Sequence, residues 1–95
     1  MADQEVEWDP VKARRLRRRG ISFEEAATVF LDPFAWTVID VSHSTDEPRY
    51  ATIGLTERGR LLVVIHVDRG RRLRLITAWP ATPAERREYE ERSTE

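Results

Sequence analysis

The sequence predicts an α+β domain in which two helices precede a run of antiparallel strands and a third helix follows it. Three observations lead to this fold class. Apolar residues recur with helical spacing in residues 22–33, and strand-like apolar patterns occupy four segments between residues 35 and 79. Only short polar connections separate those four segments, which is typical of neighbouring antiparallel strands. We therefore expect a four-stranded antiparallel meander with the helices packed on one face.

The chain begins with a predicted short strand over residues 5–8 and a helix that starts near Pro10 and ends at Gly20. Proline suits the first turn of a helix, and glycine suits the position just beyond its end. The apolar content of this helix is limited to Val11, Ala13 and Leu16. We therefore expect it to lie on the surface.

The second helix is the best-defined local element of the sequence. Ser22 and Glu25 have the spacing of a capping box, in which each side chain bonds the backbone of the other residue. An apolar stripe follows at helical spacing, formed by Phe23, Ala26, Ala27, Phe30 and Leu31. The helix should end at Asp32-Pro33, since a residue before proline avoids helical geometry.

Strand-like patterns account for most of the remaining chain. The four predicted strands cover residues 35–41, 49–55, 60–67 and 72–79. The third of them is apolar on both faces, which predicts a central position in the sheet. Polar or glycine-containing turns separate the strands.

A second capping box, formed by Thr82 and Glu85, opens the last helix, which is expected to run to about Arg92. Its apolar anchors are limited to Ala84 and Tyr89. We therefore expect this helix to dock weakly on the rest of the domain.

Length and composition predict a single intracellular domain. The 95 residues, taken as one domain over 1–95, are 40% hydrophobic and 35% charged, a globular composition. Cysteine is absent, the longest apolar run is far too short to span a bilayer, and the first residues are acidic where a signal peptide would be basic and then apolar. These features predict a soluble protein of the cytoplasm.

The charges are segregated although the net charge is only −1. Residues 12–20 carry six basic side chains and no acidic one, and residues 69–74 carry four arginines. Basic blocks of this kind are compatible with a polyanion bound at one surface. A solvated helix face is the alternative interpretation of the first block.

The second basic block suggests a chemical site. In a strand, Arg72 and Arg74 project from the side opposite Leu73 and Leu75, so they should line the open face of the sheet. Arg49 begins a neighbouring strand, and His43 and Lys12 are placed to lie at the rim. Such a cluster could bind RNA phosphates and stabilise the charge that develops in phosphodiester cleavage, although an ordinary polar sheet face is the alternative.

No metal or cofactor is predicted. The two histidines, His43 and His66, occur without cysteine and without a metal-binding spacing. His66 lies in the most apolar strand and is interpreted as a core or sheet-face histidine. RNA cleavage by attack of a 2′-hydroxyl needs no metal, because cationic and imidazole groups can supply its acid–base and electrostatic steps.

Several motifs in order resemble the BrnT family of type II toxin–antitoxin ribonuclease toxins. These motifs are EWDPVK (7–12), GISFEEAATVFLDP (20–33), the D-x-x-H-S pattern at Asp40, His43 and Ser44, IGLTERGRLLVVIH (53–66), RLRLITA (72–78) and AT-x-x-ER-x-x-YE (81–90). The resemblance covers about residues 6–91 and implies a RelE-like α+β fold.

The resemblance also implies a function and a set of residues. It implies an endoribonuclease that is neutralised by a cognate BrnA-type antitoxin, whose own DNA-binding domain contacts operator DNA, in a complex expected to be a heterotetramer. The catalytic residues carried over by position are Lys12, His43, Arg49 and Arg74. The residues expected to bind RNA are Arg14, Arg15, Arg18, Arg72 and Trp79.

Two departures from the family pattern keep an alternative open. Trp79 stands where family members usually have arginine. Arg19 stands where the first helix usually has histidine, with one residue fewer before it. Trp79 could stack on a base in place of an ionic contact. The alternative is a catalytically weakened or inactive toxin homologue that acts as the partner of the antitoxin and as co-repressor.

Overall fold

The computed structural model describes residues 5–43 and 46–94, which form an α+β fold as predicted. The strands are β1 (Glu5–Glu7), β2 (Trp36–Ile39), β3 (Tyr50–Leu55), β4 (Leu61–Arg69) and β5 (Arg72–Pro80). The helices are α1 (Pro10–Arg17), α2 (Phe23–Ala27) and α3 (Pro83–Ser93), and short 3₁₀ turns cover Thr28–Leu31 and Val41–His43.

The five strands form one mixed sheet with the order β1-β5-β4-β3-β2. β1 runs parallel to β5, whereas the pairs β5–β4, β4–β3 and β3–β2 are antiparallel. β4 occupies the middle of the sheet, and all residues from 61 to 67 are buried. The central position predicted from its apolar sequence is therefore confirmed.

The two faces of the sheet have separate hydrophobic cores. On one face, Leu62 and Val64 of β4 pack with α1 and α2. On the other face, Val63 and Ile65 pack with Tyr89 of α3. The prediction that all helices lie on one face is therefore wrong. Because β4 is apolar on both faces, each face needs its own cover, and α3 provides the second.

α3 is attached mainly through Tyr89. This side chain is buried, and its hydroxyl donates a 2.6 Å hydrogen bond to Asp32 Oδ2. Burial, followed by the bond to Asp32, raises the pKa of Tyr89 to about 12. Ala84 is exposed, so its predicted role as an anchor is wrong. It lies in the first turn of α3, on the side of the helix that faces solvent.

The N-terminus of α2 is capped differently from the prediction. Ser22 Oγ accepts from the Glu25 N–H at 3.0 Å as expected. The Glu25 carboxylate, however, accepts from Arg60 Nη2 at 2.6 Å, Arg60 Nε at 2.9 Å and the Thr56 hydroxyl at 2.8 Å. The bonds from Arg60 hold the pKa of Glu25 below its usual value. Glu25 thus joins α2 to the β3–β4 turn. At the start of α3, in contrast, both hydrogen bonds of the predicted Thr82–Glu85 capping box are present, so that prediction is confirmed.

Candidate functional site

Arginine side chains gather on the α3 face at the end of the sheet that α3 does not cover. Leu73 and Leu75 are buried against α1 and α2, so the alternating side chains of Arg72 and Arg74 project to the opposite face, as the sequence predicts. Arg74 pairs with Val67 of β4, whereas the cluster beneath α3 lies nearer the other end of the strands.

Glu7 lies in the middle of these arginines. Its Oε2 is 3.2 Å from Arg74 Nη1 and 3.9 Å from Arg69 Nη1, and its Oε1 is 3.4 Å from Arg72 Nη1. The parallel register that pairs Glu7 with Arg74 produces this arrangement. Sequence reasoning missed Glu7, and the only available signal was the alternation of Glu5 and Glu7 in the first strand.

Arg49 belongs to the same charged group through Glu47. Arg69 Nη2 donates to Glu47 Oε1 at 2.7 Å, and this bond holds the pKa of Glu47 below its usual value, with a smaller contribution from the Arg49 charge. Tyr50 pairs with His66, so Arg49 reaches the level of Val67 on the opposite side of β4 from Arg74. The two backbones are then about 10 Å apart, two strand spacings.

We call the four arginines at positions 49, 69, 72 and 74, with Glu7 and Glu47, the arginine cluster. Its four guanidinium groups and two carboxylates leave a formal charge of +2. The side chain of Arg74 is 32% exposed, so an entering phosphate can reach it while part of its surface is shielded from water. This combination suits the binding of an anion whose charge increases during a reaction.

A second basic surface lies on the other face of the sheet, on α1. Lys12, Arg14, Arg15 and Arg18 are all exposed, which confirms the surface position predicted for this helix. Lys12, Arg15 and Arg19 line a cleft of about 230 Å³ whose apolar wall includes Leu16, Phe23 and Ile76.

Almost none of this helical charge is neutralised locally. Of the six cations between residues 12 and 19, Arg17 alone has a carboxylate within ion-pair distance among the described residues, namely Glu24 at 3.7 Å. Both side chains of that pair are 60% exposed, so the pair contributes little stability. The α1 surface is therefore open to a polyanion, but Lys12 lies on the face of the sheet opposite Arg74.

Two further predicted residues have different settings. His43 ends the 3₁₀ turn Val41–His43, and its side chain lies outside the described residues, as does Ser44. Trp79 is half-buried beside Tyr89, and its indole N–H donates to Glu85 Oε1 at 3.3 Å. The RNA-binding role of Trp79 and the catalytic role of His43 stay predictions.

His66 is buried on the α1/α2 face, as the sequence interpretation expected. Its Nε2 lies 2.7 Å from the Thr52 hydroxyl, and the rings of Phe30 and Tyr50 flank its imidazole. Burial lowers the pKa of His66 to about 4, although the charge of Asp68 opposes this shift. His66 is therefore neutral at pH 7 and lies away from the arginine cluster.

The described residues contain no group of three or more histidine, aspartate or glutamate side chains arranged to hold a metal ion. None of the helices in residues 5–43 and 46–94 has the length and apolar character needed to cross a membrane.

The arginine cluster and the basic helix give this α+β protein a basic surface on each face of its sheet. A family model described as "Ribonuclease toxin, BrnT, of type II toxin-antitoxin system" matches residues 8–85, most of the chain. The chain belongs to this BrnT family of ribonuclease toxins. Membership implies RNA as the target and an antitoxin as the partner. A search of curated proteins finds no match.

Proposed function

We propose that this protein is a metal-independent endoribonuclease of the cytoplasm that cleaves RNA by attack of a 2′-hydroxyl. The observation that supports this proposal is the arginine cluster, in which Arg49 and Arg74 flank Val67 at the same level of the sheet. A phosphodiester placed between them would contact a guanidinium group on each side. Such preorganised donors stabilise the extra negative charge of a phosphorane more than that of the starting phosphate.

The reaction moves one proton on each side of the phosphorus. The 2′-oxygen loses its proton and bonds to phosphorus, the bond from phosphorus to the 5′-oxygen breaks, and the 5′-oxygen gains a proton. The products are a 2′,3′-cyclic phosphate and a 5′-hydroxyl. Arg49 and Arg74 would stabilise the phosphorane oxygens, and we assign proton transfer to His43 by family position. Lys12, which the family position also predicts to be catalytic, lies on the opposite face of the sheet and would instead contact the RNA chain beyond the cleaved phosphodiester.

The α1 surface would hold the RNA chain outside the cleavage site. β1 is the sheet edge beside β5, and α1 follows β1 directly, so the basic helix and the arginine cluster flank the same edge on opposite faces. RNA passing around this edge would contact Arg14, Arg15 and Arg18 on one side and Arg72 on the other. Trp79 would supply a stacking contact to a base.

The proposed biological setting follows the family. We propose that the strand order and the preceding helices form a RelE-like layout, and that a BrnA-type antitoxin neutralises the toxin in a heterotetramer. Contact with operator DNA would then be made by the antitoxin only.

The test is RNA cleavage by the purified protein, with and without EDTA, and with an RNA whose scissile 2′-hydroxyl is replaced by hydrogen. We expect cleavage to persist in EDTA and to stop with the deoxy substrate. Arg49→Ala and Arg74→Ala should each raise the barrier by about 2–4 kcal/mol, which corresponds to roughly 30-fold to 1,000-fold slower cleavage. Arg86→Ala, at an exposed position of α3, is the matched control. Wild-type rates in either cluster variant would show that its assignment is wrong.

A second candidate function is supported by the setting of Trp79. Where the family usually has arginine, this indole is half-buried against α3 and bonded to Glu85. The chain then lacks the cation that the family usually has at position 79. If that cation is needed for cleavage, the chain would act as an antitoxin-binding co-repressor instead of an enzyme. Inducible expression of wild type beside Trp79→Arg separates the two functions. Growth arrest by the wild type supports the enzyme, whereas arrest by Trp79→Arg alone supports the disabled toxin.

A further inference from the structure

Large apolar side chains are exposed around β2, at one edge of the sheet. The five residues concerned are Leu31, Phe34, Val38, Ile39 and Val41, with exposed fractions of 80%, 55%, 43%, 61% and 80%. We call these residues and the outward backbone of β2 the β2 edge patch. They follow the length of the edge: Leu31 lines a cleft with Leu55 near one end of β2, and Val41 comes after the other end. Exposed large apolar side chains concentrated along one edge are typical of an interaction surface.

The backbone of β2 is also unprotected. β2 is the last strand in the sheet order and pairs with β3 on one side, so its outward N–H and C=O groups have no strand partner within the described sheet. Edge strands are usually protected by proline, lysine or a bulge. The sequence of β2 is WTVI, with neither proline nor a charged residue. An extended segment could therefore add directly to this edge.

We propose that the β2 edge patch docks an extended segment of the antitoxin, which adds a strand to the sheet beside β2. The proposal rests on the toxin–antitoxin part of the proposed function. Val38 and Ile39 point to opposite faces of the sheet. The added strand would therefore carry one apolar residue beside Val38 on one face and another beside Ile39 on the other face. Pairing through the backbone would provide affinity, and these side chains would provide specificity.

The charges around the patch indicate the chemistry of that segment. A groove of about 130 Å³ between β2 and α3 is lined by Trp36 and Val38 together with the carboxylate-bearing Glu85 and Glu88. The cation nearby, Arg92, is already stacked on the Trp36 ring at 4.0 Å from its centre. We therefore expect a lysine or arginine of the antitoxin segment to lie opposite Glu88.

A second copy of the toxin fits this edge less well. Antiparallel pairing of two β2 strands would place both α3 helices on the same face of the joined sheet. Their Glu88 side chains would then approach each other, which is unfavourable between like charges. The patch also lies at the opposite end of the strand order from β1, so a segment bound there stays away from Glu7 and Arg74. Arg49 is closer, because it precedes Tyr50, the strand partner of Ile39. The bound segment would therefore lie beside the Arg49 side of the RNA site and leave the β5 side open.

The test compares binding of the full-length antitoxin from the same operon to full-length toxin variants by titration calorimetry. The double variant Val38→Lys/Ile39→Lys places charge on both sides of the edge at exposed positions. We expect its dissociation constant to rise at least tenfold. Val11→Lys, an equally exposed apolar position on α1 (45%), should bind within twofold of wild type. The single variant Glu88→Lys, at an exposed position of α3 beside the groove, should also weaken binding at low salt.

The outcomes separate the inference from the proposed function. If folded Val38→Lys/Ile39→Lys and Glu88→Lys both bind the antitoxin within twofold of wild type, the inference is wrong. It is also wrong if the wild type is a dimer by sedimentation, the double variant is a monomer and antitoxin binding is unchanged, because a second copy is then the occupant. RNA cleavage by Glu88→Lys reports on the proposed function alone, and we expect this variant to retain it, because α3 does not cover the end of the sheet that carries the arginine cluster.

Discussion

Acidification should destabilise the fold through His66, and the size of the effect can be worked out from its environment. The imidazole is 5% exposed, and burial lowers its pKa from 6.5 to about 4. Between those values the unfolded chain binds a proton that the folded protein does not, so the free energy of unfolding falls as the pH falls. A difference of about 2.5 pKa units corresponds to roughly 3 kcal/mol. This is a large share of the roughly 5–15 kcal/mol that stabilises a typical domain.

The variant His66→Gln tests this reasoning because glutamine does not titrate and can still bond the Thr52 hydroxyl. Urea unfolding of both proteins should be followed at intervals from pH 8 to pH 4.5. We expect the wild type to lose about 2–3 kcal/mol more than the variant over this range. Glu25 and Asp32 also have lowered pKa values, but they are present in both proteins and their contributions cancel in the difference. Parallel stability profiles for the two proteins would refute the assignment of a neutral, buried His66.

Two other predictions concern bonds that join distant parts of the chain. Glu25→Gln should lower the free energy of unfolding by about 2 kcal/mol, because the carboxylate accepts charge-assisted bonds from Arg60, part of whose surface remains solvated. In urea titrations, the difference in the free energy of unfolding between wild type and variant should shrink as the pH falls below about 4.5. The Glu25 carboxylate stabilises the fold while it is charged and loses that effect when it is protonated. A difference that does not change with pH would contradict the ion pair. Tyr89→Phe removes the 2.6 Å bond to Asp32 and should cost about 1–2 kcal/mol. Amide hydrogen exchange should become faster in α3 first, and uniform protection in the variant would show that this bond does not hold the helix.

Much of the secondary structure could be predicted because its signals are local. The helical stripe after Ser22, the alternation around Leu73 and the continuous apolar run of β4 each follow from the geometry of a single element. The same alternation predicted that Arg72 and Arg74 share a side. It could not predict where Lys12 lies relative to Arg74, because that depends on which face of the sheet α1 covers.

By itself, the sequence determined the element order, the central strand, the basic helix and the membership of the BrnT family that its motifs indicate. Only the tertiary structure decided that α3 covers the second face, that the parallel pairing of β1 brings Glu7 among the arginines, and that Glu25 turns from its own helix to Arg60. The physical reason is that side-chain periodicity is set by neighbouring residues. Strand partners, covered faces and ion pairs are instead set by contacts between residues far apart in the chain, such as Glu7 and Arg74.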